Sequence, residues 1–152
     1  AAATDPVTGT LSRRGLLALS EGMADNAERA GVEIFVIMVR VRDLHRIDRS
    51  YGSAYGDNVL QTVAAVLRSS SRPGDLVGRW SGSRFLVVGM GYPPDQETFP
   101  RLVCDGIHLS GVDTGKSAVA VEVGFCQALP RHTTFEQMIE TAESALQPAV
   151  TP

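Results

Sequence analysis

Over the first third of the chain the apolar positions change period twice. Across residues 12–30, Leu16, Leu17, Leu19, Met23 and Ala27 recur at helical spacing, with Ser12 placed to cap the start and Gly31 to stop it. Residues 33–41, EIFVIMVRV, are almost continuously apolar and rich in β-branched side chains. Such a run predicts a central strand buried on both faces. Leu44 and Ile47 predict one helical turn before Tyr51-Gly52, and Val59, Leu60, Val63, Val66 and Leu67 mark the buried stripe of a helix over residues 54–69. Residues 69–74 read as a polar connector.

Two short apolar runs, Leu76-Val77 and residues 85–88, then flank Ser81-Gly82-Ser83. This is the mark of a β-hairpin whose turn residues, Ser83 and Arg84, sit at the rim of a sheet. Beyond it the pattern predicts a helix over residues 95–106, a strand over 118–125 and a final helix burying Met138, Ile139, Ala142 and Leu146. Thr133 and Thr134 each stand three residues before Glu136 and Gln137, the spacing of a capping box. The order contains a βαββαβ core. It predicts an α+β, ferredoxin-like domain: a mostly antiparallel sheet with helices on one face.

Composition narrows the class. With 152 residues, 43% hydrophobic and 20% charged, the chain reads as a single soluble globular domain over residues 1–152. A net charge of −3 gives no electrostatic footprint for nucleic acid or an anionic membrane. No apolar run approaches the roughly 20 residues that span a bilayer. Cys104 and Cys126 have neither metal-ligand nor redox-motif spacing, as expected of reduced thiols in a cytoplasmic protein. The chain opens on three alanines without a methionine, so it is expected to be a piece of a longer multidomain protein, and any membrane attachment would come from flanking domains.

The hairpin reads Arg79-Trp80-Ser81-Gly82-Ser83-Arg84-Phe85. Upstream stand Asp5-Pro6-Val7-Thr8-Gly9-Thr10-Leu11-Ser12-Arg13-Arg14 and Tyr51-Gly52 followed by Gly56-Asp57. Over residues 5–146 these resemble the landmarks of the GGDEF family, the bacterial diguanylate cyclase domains: an R-x-G-G-D/E-E-F turn and an opening D-x-L-T-G-L-x-N-R-R. The resemblance implies the same fold and a place in a signalling protein. It also implies an ancestral activity, the joining of GTP molecules into cyclic di-GMP by a homodimer that grips Mg²⁺ or Mn²⁺ through carboxylates.

Those carboxylates are replaced. The family's first-strand acids fall on Arg40-Val41-Arg42, and its hairpin acids fall on Ser83 and Arg84. A unit charge about 4 Å from a divalent ion interacts by roughly 8 kcal/mol at an effective dielectric of about 20, attractive for a carboxylate and repulsive for arginine. No metal cofactor and no diguanylate cyclase activity are therefore expected. The family's guanine-contacting acid is retained as Asp57, its guanine-contacting asparagine falls on Asp48, and its phosphate-holding lysines fall on His45 and Val150. Arg40 and Arg84 admit two readings: they bind a nucleotide phosphate directly, or they pair with Asp43, Asp48 or Asp57 and fill a vestigial pocket.

Arg72-Pro73-Gly74-Asp75 resembles the family's product-binding R-x-x-D motif. An arginine fork can bond guanine's O6 and N7 edge or a phosphate, and a carboxylate can accept from guanine N1 and N2. The alternative is that Asp75 merely opens a strand and Arg72 is solvated. Arg101 is a candidate third contact. Trp80 could stack on a base or pack, and His45, His108 and His132 lack triad or metal spacing. The leading reading is a degenerate GGDEF domain that senses cyclic di-GMP through Arg72 and Asp75. A protein-interaction or dimerisation module without nucleotide is the alternative, and an active cyclase comes last.

Overall fold

A strand of eight residues, seven of them apolar, forms the centre of the computed structural model, which describes residues 3–116 and 118–149. This strand, β1 (Ile34–Val41), pairs antiparallel with β3 (Arg84–Met90) on one side and with β4 (Val121–Ala128) on the other. β2 (Leu76–Ser81) and the two-residue β5 (Gln147–Pro148) form the edges, in the order β2-β3-β1-β4-β5. The four longer strands reproduce the ferredoxin-like order.

Because successive side chains of a strand point to opposite faces, β1 carries two cores. Phe35, Ile37 and Val39 pack beneath α3 (Ser53–Ser70) and α4 (Thr98–Leu109). Ile34, Val36 and Met38 pack beneath α1 (Arg13–Ala30) and α5 (Phe135–Ser144). Helices thus cover both faces, not the one face expected, since a strand apolar on both sides needs two covers.

Local chemistry sets most element ends. Ser12 Oγ accepts from Gly15 N–H at 3.2 Å and Gly31 closes α1 in the left-handed region, as the sequence predicts. α2 (Leu44–Tyr51) is two turns long where one was expected. α4 begins three residues later than predicted because the Asp95 carboxylate accepts from Glu97 N–H and Thr98 N–H, at 3.0 and 2.8 Å, and holds a turn ahead of it. β4 lies about three residues beyond the predicted 118–125, since its register on β1 runs from Val121 opposite Val41 to Ala128 opposite Ile34. At α5 the reciprocal box forms between Thr134 and Gln137, not Thr133 and Glu136.

The amino-terminal loop docks on the β2 edge. Leu11 N–H donates to Val77 O at 3.1 Å, and Leu11 O accepts from Arg79 N–H at 2.8 Å. On the other half of the sheet, β4 and α5 approach so closely that a Cβ on Gly124 would overlap the Ala142 carbonyl oxygen and crowd the backbone at Ala145 and Leu146. Glycine is required there by space. Gly124→Ala is expected to push α5 off the sheet and cost about 1–3 kcal/mol in urea unfolding. An unchanged midpoint would contradict this packing.

Candidate functional site

The register of β1 places Arg40 opposite Glu122 on β4 and opposite Arg84 on β3. Directly opposed residues share a face, so the row Ile34, Val36, Met38 ends in charge at the carboxyl end of the strand. Arg40 Nε lies 2.9 Å from Glu122 Oε1, out of hydrogen-bonding alignment, so the contact is ionic. Arg84 donates through Nε and Nη2 to the two oxygens of Glu143 on α5, at 2.8 and 3.1 Å. Across β4, β1, β3 and α5 the row therefore reads carboxylate, guanidinium, guanidinium, carboxylate. Like charges set directly opposite each other destabilise a sheet by about 0.2–1 kcal/mol. The outer glutamates offset that cost.

These partners are not the expected ones. Asp43 lies 3.6 Å from Arg46, Asp48 packs against Gly56, and Asp57 is exposed on α3. An open cavity of about 400 Å³ beside the row is lined by Arg40, Arg84, Ser83, His45, Asp43 and Asp48, among others. Asp57 does not line it, and Val150 lies outside the described residues. Asp43 is the one described residue other than glycine with positive φ, 56°, a conformation aspartate tolerates better than most. A hard divalent cation needs several converging oxygen anions. Among the described residues no group of three His, Cys, Asp or Glu could hold one, and two paired arginines stand in the cavity wall. The donor set does not suit Mg²⁺ or Mn²⁺.

The hairpin frame is built for rigidity. Its turn is the two residues Gly82-Ser83, one fewer than predicted, because Ser81 still pairs with Arg84 across a register shift after Arg79. Arg79 Nε and Nη2 donate to Gly82 O at 3.2 and 2.9 Å, and its Nη1 reaches the Asp5 carboxylate at 3.3 Å. Asp5 also accepts from Thr8 N–H and Thr8 Oγ1. Trp80 packs, with the Arg13 guanidinium 4.0 Å above its ring and the Phe135 ring edge-on to it.

The Arg72 turn is closed on itself. Arg72 N–H donates to Asp75 Oδ2 at 2.9 Å, Asp75 N–H donates back to Arg72 O at 3.0 Å, and the two side chains stand 3.5 Å apart. The Asp75 side chain is 6% exposed and that of Arg72 is 50% exposed. Asp75 therefore orients the turn, and Arg72 is the group presented to solvent. Both line a cavity of about 500 Å³ that also receives Arg68 from the last turn of α3. Arg101 lines a separate cavity with Phe125 and Gln147, at the other edge of the sheet. Arg68, Glu122 and Glu143 carry no motif signal. Only the register, the helix turn and a pairing across 59 residues of chain bring them in.

The family model described as "Diguanylate cyclase, GGDEF domain" matches residues 2–150. The chain belongs to the GGDEF family. A probable diguanylate cyclase, DgcC of Escherichia coli strain K12, is 23% identical over 144 residues, which cover 93% of this chain and 39% of the relative. The diguanylate cyclase DgcP of Pseudomonas aeruginosa is 31% identical over 87 residues, 57% of this chain and 13% of that protein. The GGDEF domain thus spans well under half the length of these curated relatives. Among solved structures, the diguanylate cyclase SiaD of P. aeruginosa, in complex with its activator SiaC, superposes with a TM-score of 0.81 at 28% identity. That match covers 95% of this chain and 56% of that one. The GGDEF domain of DgcB from Caulobacter crescentus, in complex with cyclic di-GMP, shares the fold with a TM-score of 0.78 at 19% identity, covering 95% of this chain and 88% of that one.

Burial pushes the Asp5 carboxyl up, but the Thr8 hydrogen bonds and the Arg79 charge outweigh it and hold its pKa below the ordinary 3.8. A depressed folded-state pKa adds stability above the unfolded value and loses it as pH falls through the folded one. Asp5→Asn is expected to cost about 1 kcal/mol at neutral pH. The gap to the parent should narrow below pH 3.8 in acid-dependent unfolding. A gap that does not change with pH would contradict the Asp5 assignment.

Proposed function

We propose that this GGDEF domain does not cyclise GTP and serves cyclic di-GMP signalling as a regulatory module that binds the cyclic dinucleotide at the Arg72 turn. The observation that carries the first half is the opposed Arg40 and Arg84, each tied to a glutamate where the family resemblance calls for metal-gripping carboxylates. Repulsion from guanidinium groups at that place disfavours the divalent ions on which in-line attack at a phosphate depends.

The second half rests on the Arg72 turn. The Arg72 side chain is half exposed, and Arg72 and Arg68 line one cavity. Two guanidinium groups suit a ligand that carries two phosphodiester charges, and the fork geometry suits guanine's O6 and N7 edge. Asp75 holds Arg72 in place in this reading, leaving guanine recognition to the arginines. A cytoplasmic location and flanking domains of a longer signalling protein go with the role, and no helix among the described residues is long and apolar enough to cross a membrane.

Calorimetry with cyclic di-GMP, run beside an assay of GTP turnover with Mg²⁺ and with Mn²⁺, tests both halves. Binding at low micromolar strength, about −8 kcal/mol, is expected, with a loss of about tenfold in Arg72→Ala and no cyclic di-GMP formed. Product from GTP would overturn the first half. The absence of heat with the cyclic dinucleotide would overturn the second.

A further inference from the structure

The two edges of the sheet are not guarded alike. β2 is covered by the amino-terminal loop, which bonds to it through Leu11, and it carries a register shift. On the other side β5 pairs only with Glu122 and Val123 of β4, and Ala149 N–H donates to Val121 O at 2.9 Å. Among the described residues no strand lies beyond residues 125–128 of β4.

Alternation identifies the groups left over. In an antiparallel ladder the N–H and C=O of one residue point to the same side, and those of the next residue to the other. Ala120 O accepts from Arg42 N–H on the β1 side, whereas Val121 O turns outward to Ala149. The odd-numbered residues of β4 therefore face out, and among the described residues nothing receives the backbone groups of Phe125 and Gln127. Residues 125–128, Phe-Cys-Gln-Ala, hold no charge and no proline, and their register on β1 runs without a shift. Those are the devices that keep an open edge from pairing.

We infer that this edge pairs with the same edge of a second copy of the chain, antiparallel across a two-fold axis that passes beside Cys126. Outward groups must meet outward groups, and β5 already stands opposite Val123 while β4 ends at Ala128. One register therefore uses both free residues of each copy: Phe125 opposite Gln127 of the second copy and Gln127 opposite its Phe125, each pair exchanging both bonds. Uncharged residues meet uncharged residues, so no like charges oppose the contact. Cys126 then meets the Cys126 of the second copy as a non-hydrogen-bonded pair, with Cα atoms about 4.5 Å apart. A disulfide spans about 4.4–6.8 Å. Phe125 and Gln127 stand opposite Ile37 and Phe35, at the end of β1 away from the hairpin, and the Arg72 turn lies at the other edge of the sheet. The pairing stands whether or not the domain binds cyclic di-GMP.

So short a pairing gives a weak dimer, with a Kd of roughly 0.1–1 mM. In sedimentation equilibrium the weight-average mass of the reduced domain should climb towards twice that of the monomer over this range. Gln127→Pro removes an outward donor and no bond of the sheet, and should stay monomeric. Diamide, which takes one hydrogen from each of two thiols, should trap the parent and Cys104→Ser as disulfide dimers, with at least a roughly tenfold loss of the trapped dimer in Cys126→Ser. Should Gln127→Pro fail to fold, the cysteine variants carry the test alone. A monomer throughout that range, a dimer that Gln127→Pro leaves unchanged, or trapping through Cys104 in place of Cys126 would overturn the assignment.

Discussion

The central strand β1 must bury both of its faces, and that constraint organises the molecule. It demands helices above and below the sheet, which the two separate clusters supply. It also fixes which residues can meet at the carboxyl end of the strand, because a shift of one residue would exchange the two cores. Arg40 is therefore held on the face of Met38, between Glu122 and Arg84, with little freedom to be elsewhere. The four-charge row at the hairpin is a consequence of core packing as much as of the turn.

The frame of the hairpin in this GGDEF domain and the charges at its rim rest on different contacts. Arg79 still braces the turn through Gly82 O and reaches the amino-terminal loop through Asp5, so the signature arginine and the opening aspartate act as one structural joint. That joint needs no metal. The positions that resemblance assigns to metal binding hold arginines, whose side chains reach outward to glutamates on β4 and α5. Partly exposed pairs of this kind contribute little each, about 1 kcal/mol. Their effect on the site is electrostatic: each guanidinium is balanced by a glutamate, so the row carries no net charge.

Much of this was legible in the sequence because it rests on local pattern. The β-branched run gave β1, Ser12 and Gly31 gave the ends of α1, and the motif frame gave the hairpin and the family. The turn carrying Arg72 and Asp75 was legible as a motif, although not that Asp75 would be nearly buried and spent on the Arg72 backbone N–H. What the sequence withheld depends on distant chain. Glu143 meets Arg84 because α5 docks over β4 at Gly124, and Glu122 meets Arg40 through strand register. Asp43, Asp48 and Asp57 were nearer in sequence, yet Asp43 stands beside Arg46, Asp48 packs on Gly56 and Asp57 is exposed on α3.

The central claim is that the paired arginines leave the hairpin without a place for divalent metal. Its most direct test is a titration of Mn²⁺ in the presence of GTP, with free Mn²⁺ read by electron paramagnetic resonance, with and without the domain. The expected result is the same free Mn²⁺ in both series, set by GTP alone. A stoichiometric loss of the free signal on adding the domain, reversed by excess Mg²⁺, would show a working metal–nucleotide site and contradict the claim.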